Sequence, residues 1–202
     1  LDRLSESKRL DQIVVATTDD RSDDELTNLV EGLGFSCFRG EIDDVLQRYI
    51  NAANAYSLDI IARVTADCPL VDASLVDDCI DYLLLNGLNY VSNINPPSFP
   101  DGLDVEVFEL SALERSAELN PSASDKEHVT PILRRASWCK RHNLRCCEDL
   151  SGLRWTVDEP EDLALVRHIF SNCFPDYRFS WRDVLVLYEN PSEIMSINAA
   201  IP

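Results

Sequence analysis

Apolar and polar positions alternate along the chain in two recurring patterns. QIVVATT (12–18) is a β-branched run that reads as a strand. DDELTNLVEGLG (23–34) follows, with Leu26, Leu29, Val30 and Leu33 on one helical face and Gly34 as a stop. FSCFRG (35–40) alternates as a short strand, and IDDVLQRYINAANAY (42–56) repeats its apolar residues at helical spacing. DIIARVTAD (59–67) is the most strand-like run. SLVDDCIDYLLLNG (74–87) predicts a helix capped by Ser74 and closed by Gly87, and NYVSNI (89–94) a fourth strand.

Strands and helices alternating at this spacing predict βαβ units in an α/β fold, with three layers around a mostly parallel central sheet. Ligands bind beyond the C-terminal strand ends of such sheets. That rule selects Thr17-Thr18-Asp19-Asp20, Arg39-Gly40-Glu41 and Thr65-Ala66-Asp67.

The alternation breaks at NPPSFPDG (95–102), a Pro- and Gly-rich loop. A strand is expected over 103–109. Helices are expected over 111–119 and 125–137, with Pro131 ending or kinking the second. Strands are expected over 143–149, holding Cys146-Cys147, and over 153–158. Helices over 159–174 and 181–190 close the pattern. The 202 residues read as one domain. In it, 95–150 is an insertion, and 175–202 adds a helix and a tail.

Composition narrows the partners. The net charge of −18 disfavours nucleic acid, because a polyanion would be repelled almost everywhere. A small anion would need a metal ion or a few placed arginines. Seven cysteines at irregular spacing, with no CxxC, argue against disulfides and zinc knuckles and favour reduced thiols in a cytoplasmic protein. No apolar run is long enough to span a membrane. The opening LDRLSESKRL has no signal-peptide core and reads as the middle of a helix, as if the chain continued a longer one.

Candidate chemistry gathers at strand ends. Asp67 follows a buried strand, where a carboxylate either holds Mg²⁺ together with substrate phosphates or closes the turn before Pro69. Asp158 either joins it as a second metal ligand or caps the helix that begins there. Asp101, Asp104 and Glu106 alternate with apolar residues and read as a turn and a solvated strand face, or as polar groups facing a ligand. Glu127-His128 stands on a helix, where a histidine is more often a surface group than a catalytic one. Arg63 and Arg154 precede the two aspartates within strands, so they neutralise them or reach a substrate anion. No GxSxG, HExxH, P-loop or GxGxxG motif occurs.

The blocks IVVATTDD (13–20), CFRGEIDDVLQRY (37–49), ARVTADCPLVD (62–72), YVSN (90–93), PDGLDVEVF (100–108), EHVTP (127–131) and LRWTVDEPEDLALV (153–166) stand in one order. In that order they resemble the cytidylyltransferase family that includes spore coat polysaccharide biosynthesis protein F, which is related to CMP-Kdo and acylneuraminate cytidylyltransferases. The resemblance implies a nucleotide-diphospho-sugar transferase fold of GT-A type. It also implies attack of a sugar oxygen on the α-phosphate of CTP, with release of pyrophosphate.

Residue by residue, the resemblance implies Mg²⁺ on Asp67 and Asp158, which are also the catalytic pair. It implies nucleotide contacts from Thr17, Arg39 and Arg63. It implies sugar contacts from Asp101, Asp104, Glu127, His128 and Arg154, and a possible homodimer. Two departures stand out. The family's opening strand and its loop resembling QARxGSxRLPGK, which supplies phosphate-binding Arg and Lys, have no counterpart here. Ala66 replaces a frequent Gly, which would narrow the nucleotide pocket. Two other readings remain: a glycosyltransferase on the same fold, disfavoured by the lack of a DxD motif, and a binding module without a phosphate loop.

Overall fold

The structure is a computed structural model that describes residues 1–173 and 178–188. The part of the C-terminal segment over 175–177 and 189–202 lies outside the described residues.

The α/β pattern forms as the periodicity predicts. β1 (Val14–Thr18) leads into α1 (Asp24–Gly32), and β2 (Ser36–Gly40) into α2 (Val45–Ala55). β3 (Ile60–Arg63) leads into α3 (Ala73–Asn86), which is followed by β4 (Tyr90–Ser92). The cap of α3 is Asp72 rather than Ser74. Its carboxylate accepts from the Ser74 backbone N–H at 2.9 Å and from the Ser74 hydroxyl at 2.6 Å, so the serine is the capped residue. Gly87 closes this helix in the left-handed region at φ 57°, where a side chain would be strained.

The strands form two sheets. β1 pairs with β2 in parallel. The second sheet has the order β3-β5-β4-β6, with β5 (Glu106–Glu109) and β6 (Arg141–Asn143). In it β3, β4 and β6 run one way and β5 alone is reversed. The segment 95–150 therefore delivers β5 into the middle of the sheet.

Alternate residues of the strands feed two cores, giving three layers. Val91 and Val107 face α3 (Leu75, Val76, Ile80), α7 (Pro160–Cys173) and Trp155. Tyr90 and Phe108 face α2, α4 (Leu110–Ala117) and α6 (Pro131–Arg135). Full burial of a Leu, Val or Phe side chain is worth about 1.5–3 kcal/mol, so these two layers fix the register of the short strands. Between β1 and β3 the two sheets are parted by a cavity of 1170 Å³, lined among others by Val14, Ala16, Arg48, Tyr49, Ile61 and Arg63.

Two expected strands do not form, and the expected break at Pro131 does. Cys146-Cys147 lies in irregular chain, because the Cys146 N–H is taken by the Ser98 hydroxyl at 2.9 Å and not by a neighbouring strand. Residues 153–158 make one isolated bridge, Arg154 with Asp101, and no regular strand. Pro131 divides the helix predicted over 125–137. α5 (Ala123–His128) stops, and α6 starts with the proline at its first position, where its missing N–H costs nothing. The chain closes, as far as described, on α8 (Trp181–Tyr188).

Candidate functional site

Because β5 runs against β3, its N-terminal approach lies beside the C-terminal end of β3. That reversal brings Asp101 and Asp104 to the end of the sheet that carries Asp67. The run 153–157 stitches the two turns together. The Asp101 N–H donates to the Leu153 carbonyl at 2.9 Å, and the Trp155 N–H returns to the Asp101 carbonyl at 2.7 Å. Two residues on, the Val157 N–H donates to the Asp67 carbonyl at 2.8 Å. Asp158, next in the chain, is thereby held at the same end of the sheet as Asp67.

Gly102 makes this approach possible. Its φ is +101°, and a Cβ there would lie 2.6 Å from the backbone of both Trp155 and Thr156. Only glycine tolerates both the dihedral and the proximity.

Neither aspartate serves the turn or cap that its position allows. Asp67 is exposed, and among the described residues its carboxylate receives only the weak Cys68 thiol at 3.6 Å. Burial, the largest cause, pushes that thiol up to about 12, so it stays protonated and unreactive. The helix cap before α7 comes instead from Asp162, which accepts from the backbone N–H groups of Asp158 and Glu159 at 3.2 and 3.1 Å. The Asp158 carboxylate pairs with Arg154 at 2.7 Å, and the same guanidinium binds the fully buried Asp162 at 3.0 Å. Asp101 stands 3.9 Å from Arg154.

Asp104 is half-buried. Desolvation, followed by the charges of Asp101, Glu106 and Asp67, raises it to about 6. Asp101 is raised as well, first by burial and then by Asp158 and Asp67 against the opposing Arg154.

Arg63 does not neutralise Asp67. It faces Glu106 directly across β3 and β5 and binds it at 2.7 Å. Glu106, 2% exposed, is not on a solvated face. It also accepts from the Tyr90 hydroxyl at 2.6 Å and from the Thr130 hydroxyl at 2.5 Å, with the Arg134 guanidinium 4.0 Å away. The Nε atoms of Arg63 and Arg134 are buried without a hydrogen-bond partner. Thr130 reaches Glu106 through a strained turn: Val129, a β-branched residue, sits at φ 68°, and the Thr130 N–H bonds the His128 carbonyl at 2.7 Å. Glu127 and His128, just before that turn, are exposed.

Sequence reasoning missed the roles of Glu106, Tyr90 and Thr130. The sequence carries no direct signal for them, since Glu106 stands opposite Arg63 only once β3 and β5 are paired. Thr17 and Arg39 lie apart from this acidic end, on the first sheet. The Thr17 and Thr18 hydroxyls donate to Asp23, and these bonds bring that carboxyl down to about 2. Arg39 donates to the Thr18 and Asp20 carbonyls at 2.9 and 2.7 Å and to the Asp24 carboxylate at 2.6 Å. Both residues therefore pin the β1–α1 connection.

A divalent cation fits the chemistry of Asp67 and Asp158. Mg²⁺ commonly takes one or two carboxylates and completes its shell with water and substrate phosphates. Among the described residues, no three His, Cys, Asp or Glu side chains form a cage that would hold a metal unaided. No described helix is long and apolar enough to cross a membrane.

Comparison with known proteins identifies relatives of the whole chain. The uncharacterized protein MJ1063 of Methanocaldococcus jannaschii is 36% identical, over all of this chain and 82% of its own length. Spore coat polysaccharide biosynthesis protein SpsF of Bacillus subtilis is 33% identical, over 81% of this chain and 68% of its own. A solved cytidylyltransferase from Leptospira borgpetersenii superposes with a TM-score of 0.91 at 34% identity, covering 96% of this chain and 83% of that one. A CMP:2-keto-3-deoxy-manno-octonic acid synthetase solved with CTP shares the fold at a TM-score of 0.62 and 12% identity, covering 86% of each chain. Residues 1–149 match the cytidylyltransferase family itself. The chain thus belongs to the cytidylyltransferase family of nucleotidyltransferases, on a nucleotide-sugar transferase-like fold.

Proposed function

We propose that this chain is a Mg²⁺-dependent enzyme that activates a sugar or sugar acid with CTP. The products are a CMP-sugar, for surface polysaccharide or glycoconjugate synthesis, and pyrophosphate. The observation that supports the reading is the backbone bond from Val157 to Asp67, which ties the residue before Asp158 to the Asp67 turn. The names of relatives point the same way: SpsF is a spore coat polysaccharide biosynthesis protein, and the more distant synthetase was solved with CTP.

In the reaction a sugar hydroxyl oxygen bonds to the α-phosphorus and gives up its proton to solvent, while the bond from the α-phosphorus to the oxygen that bridges to the β-phosphate breaks and pyrophosphate leaves. Negative charge grows on the phosphate oxygens. Mg²⁺, when bound, offsets that charge as a Lewis acid. Asp67 and Asp158 hold the ion and so draw a polyanionic substrate toward a protein of charge −18. Arg63, lining the cavity beside β3, supplies positive charge toward the nucleotide. Thr17 and Arg39 act on the nucleotide by shaping the β1–α1 connection. Asp101 and Asp104 accept hydrogen bonds from sugar hydroxyls, with Glu127 and His128 at the rim. A homodimer through the 95–150 segment and a cytoplasmic setting belong to the same proposal.

The test is pyrophosphate release from CTP with candidate sugars, by the full-length protein. Asp67→Ala is expected to lower turnover at least about 100-fold, the cost of losing a main charge-stabilising group. Wild-type turnover in that variant would overturn the metal assignment.

A further inference from the structure

Arg154 stands where simple electrostatics would not want it, a fixed positive charge against a proposed cation ligand. Its guanidinium divides its donors between two kinds of carboxylate. Nε and Nη2 bind Asp162 at 3.1 and 3.0 Å. Asp162 is 0% exposed and already committed to the backbone N–H groups at the start of α7, so it cannot move away. Nη2 also binds Asp158 at 2.7 Å, and Nη1 stands 3.9 Å from Asp101. The Asp158 and Asp101 side chains are about half exposed, at 54% and 49%. Left alone, two such carboxylates repel each other and sample several rotamers. One planar fork, anchored on a buried acid, removes that freedom from Asp158 and limits it in Asp101.

We infer that Arg154 is a positioning residue for the cation: it holds Asp158 in the orientation from which that carboxylate binds, and so it raises metal affinity despite its own charge. This assigns Arg154 a duty toward the ion in place of the sugar contact implied by the resemblance. The inference rests on the metal reading above. It opposes the plain Coulomb expectation, in which removing a neighbouring positive charge tightens cation binding.

The experiment is Mn²⁺ titration of the full-length protein, followed by the loss of the free-ion electron paramagnetic resonance signal, with thermal melts of every variant. Arg154→Lys keeps the charge and loses the fork. It is expected to weaken Mn²⁺ binding about tenfold, as loss of a group orienting a metal ligand does. Arg154→Gln removes the charge as well and is expected to weaken it in the same direction. Asp162→Asn loosens the anchor without touching Arg154 and supplies a second route if the arginine variants do not fold. It too is expected to weaken binding.

Unchanged or tighter binding in the folded variants would overturn the inference. So would a lower melting temperature with an unaltered Mn²⁺ affinity, which is what a purely structural role predicts. Asp67→Asn separates the two levels. If it leaves Mn²⁺ binding intact, or if the wild type binds no Mn²⁺, the metal reading falls and the positioning role with it. If Asp67→Asn abolishes binding while Arg154→Lys leaves it unchanged, the positioning role alone falls.

Discussion

Asp104 carries a charge that its surroundings resist. It is half-buried, faces three other acids, and is raised from 3.8 to about 6, first by desolvation. The folded state therefore binds this proton more tightly than the unfolded chain. Its contribution to stability is complete below about pH 4 and is lost as pH rises through about 6. Asp104→Asn escapes that loss. The variant's advantage in melting temperature is expected to grow between pH 4 and 7, reaching on the order of 1 kcal/mol after solvent screening. A difference that stays constant with pH would sink the assignment. At this scale the sequence was partly legible. Asp67 and Asp158 stand out because each closes a strand-like run, and Asp101 and Asp104 because they fall in a block that resembles the family's. Glu106 did not, because an alternating Asp-Val-Glu pattern reads as a wet face until both faces of the strand are seen to be covered. For Arg39 and Thr17 the sequence shows polar groups at a strand end, and the structure adds that they bond to Asp20, Asp23 and Asp24 around the β1–α1 connection.

Among the elements, the run 153–157 matters most for the site and has the least regular structure. It is held by three backbone bonds to the Asp101 and Asp67 turns, and Gly102 allows the contact. Gly102→Ala would drive a Cβ to 2.6 Å from two backbone atoms at a φ of +101°. The expected cost is about 2–4 kcal/mol, the range for a strained backbone combined with overpacking. Because the displaced segment carries Asp158, pyrophosphate release should fall further than the melting temperature alone explains. A variant of unaltered stability and turnover would show that the approach is not needed. Helices were the most legible elements, since α1, α2, α3 and α7 each repeat apolar residues over two turns or more and carry local stops such as Gly87. Strand ends were less so. The Ser98 hydroxyl captures the Cys146 N–H and withdraws it from any ladder, and no periodicity records that competition.

For the whole molecule, the dominant quantity is the charge of −18. Like charges at this density push the compact state apart, and salt shields them within about 10 Å at 0.1 M. Raising NaCl from 0.02 to 0.3 M is therefore expected to increase the melting temperature. The gain should be about 2–4 °C, the response to roughly 1 kcal/mol in a chain of this size. A fall in melting temperature would mean that the arginine–carboxylate pairs outweigh the net repulsion. Fold class, helix positions and the ordered blocks of the family were determined by the sequence alone, because periodicity, caps and short motifs are local properties. Tertiary structure decided that β5 runs backwards between β3 and β4, that Arg63 answers Glu106 and not Asp67, and that Arg154 ties Asp158 to a buried Asp162. Each of those pairings joins groups by distance and burial in space, and neither quantity is written in the spacing of residues along a chain.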